Sequence, residues 1–88
     1  MTVTIEEAVQ KIKDGGMVIL VDDEDRENEG DIVAAASLVT PEQLTLMARQ
    51  ARGLICLAME PEMLDRLGLE QMVAHNTAPY STAFTISI

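Results

Sequence analysis

A single cysteine, Cys56, leaves this 88-residue chain unable to close a disulfide within itself. Tryptophan is absent and phenylalanine and tyrosine occur once each, so Leu, Ile, Val, Met and Ala must fill any core. Basic residues are scarce as well: six Lys and Arg stand against fifteen Asp and Glu, a formal net charge of -9. That balance disfavours nucleic acid, whose binders neutralise phosphates with Lys and Arg. It disfavours anionic membrane surfaces for the same reason. No apolar run is long enough to span a bilayer and no secretory leader is visible, which makes the cytoplasm the expected location. Internal repeats, linkers and low-complexity stretches are missing too. A chain of this length is at most one small domain and buries a modest share of its surface.

What is present is concentrated acid. Asp22-Asp23-Glu24-Asp25-Arg26-Glu27-Asn28-Glu29-Gly30-Asp31 places seven carboxylates within ten residues, with one arginine among them. An apolar run, Met17 to Val21, precedes the cluster, and another, Ile32 to Ala36, follows it. The acids therefore read as a short connection between two buried strands rather than as a solvated tail. Hard divalent cations such as Mg²⁺ prefer oxygen ligands of this kind. The hydrophobic content, 48%, argues against disorder.

The rest of the chain alternates helix and strand signals. Thr4-Ile5-Glu6-Glu7 has the form of a capping box, and Ile5, Ala8, Val9 and Ile12 recur at helical spacing. A first helix is expected from Ile5 to Asp14, stopped by Gly15-Gly16. Met17 to Val21 and Asp31 to Ser37 are expected strands. Thr40-Pro41-Glu42-Gln43 starts a second helix, with Gly53 as its stop. Leu54 to Met59 reads as another buried strand, with Cys56 a small buried hydrophobe on it. Pro61 opens a short helix that stops near Gly68. Gln71 to Ser81 reads as a loop, and Thr82 to Ile88 alternates like a strand, with Phe84, Ile86 and Ile88 on one side. The methionines read as core filler, and His75 as a surface-loop residue. A strand at the last residue ordinarily awaits a partner, so these residues are expected to be the N-terminal part of a larger enzyme.

Several readings of the acidic loop compete. An EF-hand started at Asp25 places Glu27, Glu29 and Gly30 correctly, but the twelfth position, which requires a bidentate Glu, is Ala36. A phosphorylation receiver would hold Mg²⁺ on the paired acids after the first strand. It also needs a phosphoacceptor Asp at the end of a later strand, and that strand ends Leu57-Ala58-Met59-Glu60-Pro61. A solvated acidic turn, or a non-catalytic Mg²⁺-binding module, stays open on composition alone.

Residue order separates them. The run from Asp22 to Asp31 closely resembles the N-terminal motif of the 3,4-dihydroxy-2-butanone 4-phosphate synthases of riboflavin biosynthesis. Ala51-Arg52-Gly53-Leu54-Ile55-Cys56 resembles that family's segment after its second helix. Met72-Val73, Asn76-Thr77 and Thr82 to Ile88 resemble its next stretch, in the right order. The resemblance covers essentially the whole chain.

The resemblance implies an α/β fold, a mixed sheet with flanking helices, incomplete here. Residues 1–88 would be the N-terminal portion of a single synthase domain. It implies a carbon–carbon lyase that converts D-ribulose 5-phosphate to 3,4-dihydroxy-2-butanone 4-phosphate and formate. It further implies Mg²⁺ or Mn²⁺, as one ion or two, with Glu27 as metal ligand. Arg26 and Glu27 would contact the substrate, and Asp31 would bind a substrate hydroxyl. Gly30 would allow a sharp turn from loop to strand. Asp22, Asp23, Glu24 and Glu29 would support the site or relay protons, and Cys56 would lie near it without a catalytic part. The family is expected to be homodimeric, with frequent fusion to GTP cyclohydrolase II. Its second metal ligand, a His in a Gly-His-Thr motif, and its phosphate-binding groups belong to a C-terminal half with no counterpart here. The 88-residue chain is therefore expected to be inactive alone.

Overall fold

Thr4 starts the first helix by satisfying one of its orphan amides. Its Oγ1 accepts from the Glu7 backbone N–H at 3.2 Å, and the hydroxyl donates onward to the Glu7 carboxylate at 3.3 Å. Helix α1 then runs Ile5–Lys13 with Asp14 as C-cap. Glu6 and Glu7 in its first turn and Lys11 and Lys13 in its last both complement the helix dipole. Gly15 follows at φ +84°, a left-handed conformation that glycine adopts without a Cβ penalty. The computed structural model describes residues 2–79 and 82–88, which fall into two compact units, Met1–Cys56 and Leu57–Ile88.

In the first unit, strands β1 (Val18–Val21) and β2 (Gly30–Val33) pair antiparallel, with Leu20 opposite Asp31 and Val21 opposite Gly30. Helix α1 packs against β1. Helix α2 (Pro41–Leu46) begins with a complete capping box. Thr40 Oγ1 accepts from the Gln43 N–H at 3.2 Å, and Gln43 Oε1 accepts from the Thr40 N–H at 3.0 Å. A cap of this type contributes about 1 kcal/mol. Gln43 also ties the helix to the end of α1, donating from Nε2 to the Gly15 carbonyl at 2.8 Å. The helix continues as a π-helical turn, Met47–Ala51, and closes on Arg52 at φ 58°. The stop is thus one residue before Gly53, on a non-glycine left-handed residue.

In the second unit, helix α3 (Pro61–Leu67) ends on Gly68 at φ +71°, as the sequence indicates. The final segment, Thr82 to Ile88, is not the expected strand but makes one isolated bridge to an upstream partner. Gln71 bridges Thr85, Met72 N–H donates to the Phe84 carbonyl at 2.9 Å, and Ile86 N–H donates to the Glu70 carbonyl at 3.0 Å. The expected loop, Gln71 to Ser81, thus opens on a bridged Gln71 and runs without strand or helix from Met72 to residue 79; its last residues, Tyr80 and Ser81, lie outside the described residues.

The architecture is helices plus a small antiparallel sheet, in keeping with an incomplete α/β fold. Several expectations are corrected. Leu54 to Met59 is not a strand: among the described residues no ladder partner reaches it, and Leu54 is 84% exposed. Cys56 is accordingly an exposed free thiol, not a buried hydrophobe. Strand β2 ends at Val33, and a turn begins after the Ala34-Ala35 pair, where Leu38 and Val39 N–H both donate to the Ala35 carbonyl. No described residue is fully buried. Even in β1, Ile19, Leu20 and Val21 are 71%, 64% and 64% exposed. Burial of an apolar strand needs a covering layer on its faces. A two-stranded hairpin, with one helix near one end, does not provide it. Met63 and Met72 are likewise exposed rather than core.

Candidate active site

The loop that joins β1 to β2 is organised by its first residue. Asp22 Oδ2 accepts from the Glu27 backbone N–H at 2.9 Å and from Arg26 Nη1 at 3.0 Å. Its Oδ1 accepts from the Glu29 backbone N–H at 2.8 Å. The backbone closes the same circle: Arg26 and Asn28 N–H both donate to the Asp23 carbonyl, and Asp22 N–H donates to the Glu29 carbonyl at 3.3 Å. Asn28 takes the left-handed conformation, φ 50°, that turns the chain back toward β2. Asparagine tolerates this region better than most side chains.

Gly30 therefore does not make the sharp turn that the sequence led one to expect of it. It sits in β2, its φ is not positive, and it faces Val21. A Cβ there would stand 3.3 Å from Ile19 Cγ2, so the missing side chain allows a close cross-strand approach.

Three donors on one carboxylate favour its charged form. The Glu29 amide is the largest influence holding Asp22 below the ordinary aspartate value of 3.8; partial desolvation opposes it, and the Glu27 amide and Arg26 add to it. Arg26 is in turn held more firmly protonated by Asp22 and Glu27. A depressed carboxylate stabilises the folded loop above its unfolded pKa, and that contribution is lost as pH falls through the folded value. We therefore expect the Glu27 and Glu29 amide resonances to keep their hydrogen-bonded positions on acidification until below pH 3.8. A transition in both amides with a midpoint above that value would contradict the arrangement.

The remaining predicted site residues lie close by. Arg26 Nη1 reaches Glu27 Oε1 at 2.7 Å, and the two side chains are 53% and 37% exposed. Asp31 projects from β2 opposite Leu20. Asp22, Arg26, Glu27, Glu29 and Asp31 share one depression beside Leu20 and Val21. Arg26, Glu27 and Asp31 are thus brought together, as the motif indicates. A cationic fork between carboxylates is suited to an oxygen-rich anionic ligand. Glu24 and Asp25 are exposed on the outer part of the loop, away from that lining.

The donor set fits one corner of a Mg²⁺ site. Among the described residues, no three Asp, Glu, His or Cys side chains converge as a cation would require. Glu27 offers oxygen of the right chemistry, and one of its oxygens is engaged by Arg26. The loop also runs into a strand, Gly30–Val33, and not into the helix that an EF-hand or a receiver would place there.

Sequence reasoning grouped Asp22 with Asp23, Glu24 and Glu29 and missed its central position. The available signal was its place as the first acid after the apolar strand, where a carboxylate can accept amides from the turn that follows. His75 is exposed, as expected, and lies in the second unit beside a depression with Asn76 and Phe84. Asn76 braces that segment: Nδ2 donates to the Thr82 carbonyl at 2.8 Å, and Oδ1 accepts from the Ala78 N–H at 2.9 Å. No helix among the described residues is long and apolar enough to cross a membrane.

Comparison with known proteins gives a consistent picture. The family model for 3,4-dihydroxy-2-butanone 4-phosphate synthase matches residues 6–88. A protein of that name from Agrobacterium fabrum is 55% identical over 84 residues, spanning 96% of this chain and 39% of the relative. Riboflavin biosynthesis protein RibBA of Bacillus subtilis is 56% identical over 84 residues, 96% of this chain and 21% of its own length. A crystal structure of 3,4-dihydroxy-2-butanone 4-phosphate synthase in complex with two magnesium ions superposes with a TM-score of 0.89 at 44% identity, covering 98% of this chain and 40% of that one. The chain thus spans well under half the length of these relatives.

Proposed function

The chain belongs to the 3,4-dihydroxy-2-butanone 4-phosphate synthase family, and from that membership we propose that it supplies the acidic part of a lyase active site. The reaction converts D-ribulose 5-phosphate to 3,4-dihydroxy-2-butanone 4-phosphate and formate, within riboflavin biosynthesis. Residues 1–88 are the N-terminal portion of one synthase domain. The observation that carries the reading is the meeting of Arg26, Glu27 and Asp31 at one depression, on the family's own motif.

Atoms balance in this reaction without an oxidant or reductant. Enolisation, loss of water, skeletal rearrangement and expulsion of one carbon as formate, which takes up a water in place of the one lost, each move a proton or build negative charge on oxygen beside a carbonyl. Carboxylates placed near those oxygens can carry protons between them. Asp31 binds a sugar hydroxyl from the strand, where its backbone is held by the β1–β2 ladder. Arg26 offers several donors to sugar and enediolate oxygens. Glu27 is the ligand this chain contributes to Mg²⁺, with Mn²⁺ as the alternative, and a bound ion would act as Lewis acid on substrate oxygens. Asp23, Glu24 and Glu29 keep the loop anionic around these groups.

The two magnesium ions of the solved relative support the metal assignment. The short coverage of the RibBA relative leaves room in that protein for a further domain, which fits a fusion to GTP cyclohydrolase II. A homodimer in the cytoplasm completes the proposal. The test is a chimera: this chain replaces the matching segment of the Agrobacterium fabrum relative, and formate and the four-carbon phosphate are assayed. Equimolar formation of both is expected. A folded chimera that consumes no ribulose 5-phosphate would overturn the assignment.

A further inference from the structure

We propose that Asp22 is a positioning residue for this site: its carboxylate orients Arg26 and Glu27 by binding the Arg26 side chain and the backbone on which Glu27 and Glu29 stand. The inference rests on the functional reading above for what Arg26 and Glu27 do. It rests on loop geometry alone for what Asp22 does.

Three bonds converge on one side chain, at 2.8, 2.9 and 3.0 Å. They reach seven, five and four residues along the chain. A single carboxylate thereby clamps both ends of the turn and the guanidinium between them. Asp22 stands directly after β1, so its own backbone is anchored by the ladder and by its N–H bond to Glu29. Its side chain is the most shielded of the three, 24% exposed against 53% for Arg26 and 37% for Glu27. Because Arg26 Nη1 is held by both Asp22 and Glu27, the guanidinium is fixed between two oxygens. A carboxylate is an acceptor at both oxygens, whereas an amide is an acceptor at one. Asparagine, though isosteric, would turn an NH₂ group toward either the Glu29 amide or the Glu27 amide and Arg26. Among the described residues, no other acid of the loop accepts the Glu27 or Glu29 amide.

The test uses the whole chain, isotope-labelled, with Asp22→Asn, Asp22→Glu and Asp25→Asn variants. Amide exchange at Glu27 and Glu29 and the Arg26 side-chain signal are followed by NMR, and Mg²⁺ alone is then titrated while the Glu27 carboxylate carbon is observed. In Asp22→Asn, the Glu27 and Glu29 amides should lose protection severalfold and the Arg26 signal should move toward its free position. The Ala8 amide in α1, which bonds to Thr4, should be unchanged, so general unfolding is recognised by its loss. Asp25→Asn should resemble wild type, and Asp22→Glu should keep the Arg26 contact better than Asp22→Asn does. Protection and Arg26 signals equal to wild type in a folded Asp22→Asn variant would overturn the proposal, whatever Mg²⁺ does. Loss of protection there upholds Asp22 as the clamp with or without a Mg²⁺ response at Glu27, since this chain holds one corner of the metal site.

Discussion

The 88-residue chain incubated with D-ribulose 5-phosphate and MgCl₂ is expected to release no formate above the protein-free rate. The reason lies in how little of a site one acidic loop can complete. Mg²⁺ demands near-octahedral oxygen coordination and commonly takes one or two carboxylates, substrate oxygens and water. Here the described residues bring no three metal-binding groups together, and Glu27 shares its carboxylate with Arg26. The apolar lining of the depression, Leu20 and Val21, is 64% exposed at each residue. Water therefore screens the charges that would have to act on the sugar, and electrostatic stabilisation of a developing enediolate is worth far less in an open site than in a closed one. General acid–base catalysis alone would supply about 10²–10⁴-fold, which cannot replace metal, phosphate anchoring and water exclusion together. A formate assay reads this directly, and reproducible turnover by the purified chain would show that the loop is a sufficient site.

Glu27→Gln in the chimera with the Agrobacterium fabrum relative should reduce turnover by more than the ~10–100-fold that outer-shell changes around a metal typically cost. The substitution keeps size and one acceptor oxygen but removes the charge by which the side chain would bind a hard cation. Mg²⁺ affinity, measured by calorimetry on the same protein, should fall in parallel. Asp25→Asn changes the same net charge on the same loop without touching the depression, so it separates a ligand effect from a general electrostatic one. Unaltered Mg²⁺ affinity in Glu27→Gln would take Glu27 out of the metal site even if activity fell, leaving substrate contact as its part.

Local signals were legible without a structure. Thr4 and Thr40 cap helices through bonds to residues only three positions away, so the chain itself carries both partners. Pro61 and Gly68 bracket α3 for equally local reasons, a preset φ at one end and a permitted positive φ at the other. The site motif was legible because Arg26, Glu27 and Asp31 are near in sequence as well as in space. Leu54 to Met59 misled because an apolar run reports what a segment would bury if neighbours covered it. It does not report whether those neighbours are present. Gly30 misled because glycine suits both a turn and a close strand approach, and only the pairing with Val21 distinguishes them.

By itself, the order of residues determined the family, the starts of the helices, the stops of the first and third, and the nearness of Arg26, Glu27 and Asp31. These depend on contacts a few residues long, or on a motif read directly. Tertiary structure decided that Asp22, among seven nearby acids, is the one that clamps the turn. It also decided that Asn28, not Gly30, reverses the chain, and that the apolar face of β1 stays open. A hydrogen bond requires a donor and an acceptor about 3 Å apart and aligned. The β1–β2 register sets that geometry by bringing Glu29 back to Asp22, and no count of carboxylates contains it.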